Sequence, residues 1–159
     1  KLNSMENNIN FRSFKEGDYD TCVEWWEWWW GSFGGEPIRR GMLPKNERCF
    51  IIEKNGVPIA STFLILAYDI PGLAWVTYLV SNPNYRENDR REIIKTLIVK
   101  VEERAEEYGV LQLFTVCGDV HMSNIHRDLG WDMSPAKHEA FKYLEKNLKK
   151  IDKNYGTKS

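Results

Sequence analysis

Ala74-Trp75-Val76-Thr77-Tyr78-Leu79-Val80-Ser81, continuing through Asn82-Pro83-Asn84-Tyr85-Arg86-Glu87-Asn88-Asp89 into the run from Arg90 to Gly109, carries the organising signal of this chain. The first segment is rich in β-branched and aromatic residues and too short for a helix, so it reads as a buried strand. Pro83 removes a donor, fixes φ and ends it. The helix then opens near Arg90, with Asp89 as N-cap and Glu92 three positions on, as in a capping box. Ile93, Ile94, Leu97, Ile98, Val101, Ala105 and Tyr108 recur at helical spacing. Glu102, Glu103, Arg104, Glu106 and Glu107 take the other face, and Gly109 supplies the C-terminal stop. A strand that feeds a turn whose amides open a helix suits an anion, because free N–H groups and the helix dipole point at it. Arg86, Arg90 and Arg91 add positive charge. On the residues alone, the alternative of solvated surface arginines stays open.

Upstream, Cys49 to Glu53 and Ile59 to Tyr68 flank Lys54-Asn55-Gly56-Val57-Pro58, an Asn-Gly hairpin signal. Asp69-Ile70-Pro71-Gly72 forms a second turn, so three sequential strands make a meander. Ile9 to Phe14 alternates apolar and polar as a half-buried strand does. Asp18 caps a helix on which Tyr19, Cys22, Val23, Trp26, Trp29 and Trp30 share a face, with Trp25 and Trp28 on its flank and Gly31 at its end. These aromatics exceed what one face requires, so some of the rings are expected to line a pocket or an interface. Between Ser32 and Asn46 the glycines, prolines, Arg39 and Arg40 mark a long, functional type of loop.

Downstream of Gly109 the sequence predicts a strand over Val110 to Cys117 and a short helix from Met122 to Leu129. Brief strands are predicted at Trp131 to Met133 and Glu139 to Leu144, and then a helical lysine-rich tail. The fold class is therefore α+β: a mixed central sheet of about six to seven strands with flanking helices. Residues 5–145 are expected to form one domain and 146–159 a lysine-rich C-terminal tail; Lys1 to Ser4 precede Met5 and are left out of the fold reading.

A formal charge of -1 provides no global basic field, so nucleic acid is not expected as a partner. The three cysteines are odd in number and sit in apolar segments, which argues against a disulfide framework and for a reduced, cytoplasmic setting. No run has the roughly 20 apolar residues of a membrane span. His121 and His138 are too isolated for a metal site, so no metal is expected.

The order of elements, together with Leu79-Val80-Ser81-Asn82-Pro83-Asn84-Tyr85-Arg86 before a long helix ending in Ala105-Glu106-Glu107-Tyr108-Gly109, resembles the GNAT superfamily of acyl-CoA-dependent N-acyltransferases. Asn124-Ile125-His126-Arg127-Asp128-Leu129-Gly130-Trp131 is similar to that superfamily's short helix, with its asparagine and terminal Gly-aromatic pair. The family's turn usually carries small residues three and five positions after its Arg or Gln. Here Arg86 matches, but Asp89 and Arg91 occupy the small positions, and Asp89 would bring negative charge beside a phosphate. Asp89 would instead cap the helix and point away, leaving Arg90 or Arg91 to grip a phosphate oxygen.

The resemblance implies that acetyl-CoA is the cosubstrate and that an acetyl group passes to a primary amine of a small molecule or protein by direct attack. Leu79 and Val80 would offer backbone groups to the pantetheine arm, while Arg86, Asn88, Arg90 and Arg91 would hold the pyrophosphate and Asn124 would touch the pantetheine. His126, where many relatives carry a tyrosine, would protonate the departing thiolate, though a plain surface histidine is an equal alternative. Cys117 reads as core rather than nucleophile, and the general base stays open among Glu36, Asp69 and a bound water. The aromatics of the Trp25 to Gly41 region, with Glu36, would favour a cationic acceptor. The competing readings are a non-catalytic module that kept the fold and a protein-interaction domain, with a homodimer among its partners.

Overall fold

In a computed structural model, residues 8–70, 72–133 and Lys153 are described. β1 spans Ile9–Ser13, α1 Asp18–Trp30, β2 Cys49–Lys54, β3 Val57–Leu66, β4 Leu73–Ser81, α2 Arg90–Glu107, β5 Gln112–Phe114 and α3 Val120–Asp128. The strands form one sheet in the order β1-β2-β3-β4-β5. All neighbours are antiparallel except β4 and β5, which α2 joins as a parallel pair. The architecture is α+β as expected, with five strands among the described residues rather than six to seven. Trp131 to Met133 is not a strand, and the segment predicted from Val110 to Cys117 keeps strand geometry only from Gln112 to Phe114. The expected strand at 139–144 and the tail lie outside the described residues.

Alternation along the central strands fills both faces of the sheet. On one side Phe50, Ile52, Ile59, Leu64 and Val76 meet Ile93, Ile94, Leu97, Ile98 and Val101 of α2 and Ile125 of α3. On the other, Ile51, Phe63 and Val80 meet Cys22, Trp25 and Trp26 of α1. Each fully buried aliphatic side chain contributes about 2 kcal/mol from burial. The Asn55-Gly56 turn is formed as read, with φ of 51° and 77°, the positive values that a two-residue hairpin demands. Gly109, φ 75°, closes α2 while Val110 N–H reaches back to Ala105 O at 3.0 Å.

Two helix starts differ from expectation. Gly17, in the left-handed region, precedes α1, and Asp18 is its buried first residue. The Asp18 carboxylate accepts from Lys15 N–H at 2.7 Å and from Arg12, and Arg12 also binds Glu53 on β2. That buried demand for a partner outweighs capping. At α2, Asp89 makes no side-chain cap bond, so the capping box with Glu92 is not formed. On α1 the predicted face holds for Tyr19, Cys22, Val23, Trp26 and Trp29, which all pack in the core on that side of the sheet, while Trp25 is buried with them and Trp30 is 42% exposed.

Candidate functional site

β4 holds the key irregularity. Its pairing with β3 slips by one residue between Ser61↔Val80 and Phe63↔Thr77, and Tyr78 absorbs the extra length at φ 54°. A bulky residue in that region costs on the order of 1 kcal/mol. The Tyr78 ring stays in place between Trp26 and Phe63, at centroid distances of 5.9 and 6.1 Å. Thr62 Oγ1 donates to Thr77 O at 2.8 Å and supports the bend. The bulge re-aims the strand after Tyr78, and β5 accompanies β4 only over Leu73 to Trp75. The two strands then part.

A cavity of about 400 Å³ lies beside the bulged end of β4. Leu79, Val80 and Ser81 line it from β4, Asn88, Arg90, Arg91 and Ile94 from the start of α2, and Trp29 and Trp30 from the end of α1. Asp119, His121 and Met122 line it from the start of α3, and Glu87 lines it from the turn before α2. The lining thus combines aliphatic and aromatic side chains with the Arg90 and Arg91 cations. Trp29 Nε1 donates to Ser81 O at 2.8 Å and pins α1 to the strand.

The arginines differ in their ties. Arg90 donates to Ser81 Oγ at 2.5 Å and lies 5.3 Å from the Trp29 ring. Burial and the neighbouring Arg86 both lower its pKa, so this cation is poorly solvated and faces another cation. Arg86 sits over Trp28 and Trp29 at 5.3 and 5.8 Å. Neither Arg86 nor Arg90 has a carboxylate partner among the described residues. Arg91 instead pairs with Asp128 at 2.8 Å. At the helix start Arg90 N–H goes to Glu87 O, and Ile93 is the first to donate into α2, to Asp89 O. The Arg91 and Glu92 amides have no backbone acceptor among the described residues, which leaves two open donors at the start of α2.

Of the residues singled out from the sequence, Leu79, Val80, Asn88, Arg90 and Arg91 line this one cavity. Arg86 stays outside its lining, on the tryptophans. Asn124 is exposed and also outside it. His126 is 2% exposed, edge-on to Trp131, with Nδ1 2.8 Å from Met122 O. Nδ1 therefore carries the proton, and Nε2 is buried with no hydrogen-bond partner among the described residues. That imidazole does not reach the cavity. Burial raises the Cys117 pKa and pushes Cys22 and Cys49 up to about 12, so none is an activated thiolate. Among the described residues no cluster could hold a metal ion and no helix is long and apolar enough to cross a membrane. The expected aromatic and acidic cage for a cation does not assemble: Trp25 is core, Trp28 already faces Arg86, and Glu36 turns to Arg39.

The sequence reading missed Asp119 and His121. Asp119 Oδ1 accepts Met122 N–H at 2.8 Å and caps α3. An aspartate three residues before Met122 was its sequence signal.

Many solved structures superpose on the chain, among them the following three. A GCN5-related N-acetyltransferase from Ralstonia eutropha JMP134 matches with a TM-score of 0.61 at 16% identity, over 84% of this chain and 99% of its own. A predicted acetyltransferase from Clostridium acetobutylicum, solved with acetyl-CoA, gives 0.60 at 16% identity, over 87% and 98%. The chain has the GNAT fold. N-acetylglutamate synthase from Neisseria gonorrhoeae, solved with coenzyme A and N-acetyl-glutamate, also matches, at 0.60 and 16% identity. The GNAT-fold match takes 78% of this chain but spans 28% of that one. No protein-family model matches the sequence, and no curated protein matches it.

Proposed function

We propose that the chain is an acyl-CoA-dependent N-acyltransferase that moves an acetyl group from acetyl-CoA to a primary amine. One observation carries the reading: the bulged end of β4 and the arginine-bearing start of α2 line the same cavity. A lining that combines aliphatic side chains with cations fits a flexible amide chain that terminates in a diphosphate. Of the two carboxylates in the lining, Asp119 is engaged in its cap and Glu87 is an exposed residue of the turn before α2, while Asp89 lies outside the lining and is turned to other partners. Structural neighbours solved with coenzyme A or acetyl-CoA support the reading further.

In this reading Leu79 and Val80 present strand amides and carbonyls to the pantetheine arm. Arg90 leads the diphosphate contacts, with Asn88, Arg91 and the open amides of α2, while Arg86 adds charge from the rim. Acetyl-CoA supplies the activated acyl group. The chain's own part is to orient that group at the strand edge, and to exclude water with Leu79, Val80, Ile94 and Met122. The attack needs a neutral amine. His126 and Asn124 receive no role at the reacting centre. Calorimetric titration with acetyl-CoA, and free-thiol release over a panel of amines and peptides, test the proposal. Micromolar binding and amine-dependent thiol release are expected; no binding at millimolar acetyl-CoA would overturn it.

A further inference from the structure

Position 89 is where a carboxylate would do most damage to a diphosphate. An aspartate that precedes a helix ordinarily folds over the first amides and accepts from them. At α2 this would set a negative charge in front of the Arg91 and Glu92 N–H groups, beside Arg90. The carboxylate does not go there: it makes no cap bond. It accepts instead from Lys54 Nζ, which reaches across from the end of β2, and from Tyr85 Oη at 2.7 Å. Both partners are anchored. Lys54 pairs with Val57 and Ile9 within the sheet, while Tyr85 is packed against the α2-side core. Its N–H donates to Asn82 O at 3.2 Å. The pair has little bearing on stability, because the Asp89 side chain is 36% exposed and such ion pairs contribute little.

We propose that Lys54 and Tyr85 are positioning residues, forming a latch that withdraws Asp89 from the start of α2 and keeps those amides and Arg90 open to the phosphates of acyl-CoA. The inference rests on the acyl-CoA reading above. It explains how this turn tolerates an aspartate where a small residue would otherwise clear the way. Released from Lys54, the carboxylate falls back to the helix start, where it competes for the same donors and repels the ligand.

The test titrates coenzyme A into wild type, Lys54→Met, Tyr85→Phe, Asp89→Asn and the double variant Lys54→Met/Asp89→Asn. Lys54→Met is expected to weaken binding about tenfold. It should raise KM for acetyl-CoA by a similar factor and leave kcat in place. Tyr85→Phe should give a smaller loss in the same direction, which keeps the test informative if Lys54→Met fails to fold. The double variant should return to wild-type affinity, since a neutral amide no longer opposes phosphate. If Lys54→Met and Tyr85→Phe bind like wild type, the latch is refuted while the acyl-CoA reading stands. Failure of the second substitution to restore affinity would also refute it, by assigning Lys54 a direct contact. No binding by wild type would instead remove the reading beneath it.

Discussion

Arg90 is the side chain on which the positive charge of the cavity depends, because Arg91 is already engaged by Asp128 and Arg86 stands outside. Arg90→Gln is expected to weaken coenzyme A binding roughly ten- to a hundredfold, the loss of one charge-assisted contact, measured by calorimetry. Asp119 acts through α3 rather than through charge. Asp119→Ala should cost about 1 kcal/mol by removing a helix cap, read as a lower thermal midpoint. At this scale the sequence was partly legible. Leu79, Val80, Asn88, Arg90 and Arg91 were recoverable because strand, turn and helix follow one another directly, so their neighbourhood in space is set by their neighbourhood in the chain. Lys54 was not, since its partner lies 35 positions away and no local pattern links them.

Elements declare themselves where a local rule dominates. The Asn55-Gly56 turn is such a case, and Gly56→Ala should destabilise the chain by about 1 kcal/mol, since φ is 77° there and only glycine takes it freely. Chemical denaturation measures this. The periodicity of α2 was equally readable; Leu97 is fully buried, and Leu97→Ala should cost about 2–5 kcal/mol in the same assay. The bulge at Tyr78 was not readable, because it is a property of two strands in register and not of either one. The α1 face was readable except at its edges, where Trp25 is covered and Trp30 is not. With six tryptophan and tyrosine rings crowded from Tyr19 to Trp30, hydrophobicity alone does not say which are covered, whereas the Asp18–Arg12 pairing ties down the start of the helix.

For the molecule as a whole, the network of Arg12, Asp18 and Glu53 ties β1, α1 and β2 together. Burial alone would raise the Asp18 pKa, but Arg12 and the Lys15 amide hold it below the usual range; Arg12, with Asn10, also lowers that of Glu53. The unfolded chain therefore binds more protons than the folded one as pH falls through about 4, so the network's stabilisation is complete above the ordinary carboxylate range and is lost below it. Arg12→Met should remove about 3 kcal/mol at neutral pH and flatten the acid limb of a denaturation profile.

The α1 indoles have a practical consequence. Arg86 and Arg90 rest against Trp28 and Trp29, and Trp29 and Trp30 border the cavity. A guest that draws either guanidinium aside changes the polarity around those rings, and their fluorescence must follow. The protein is thus its own reporter dye, ready for stopped-flow mixing without a label.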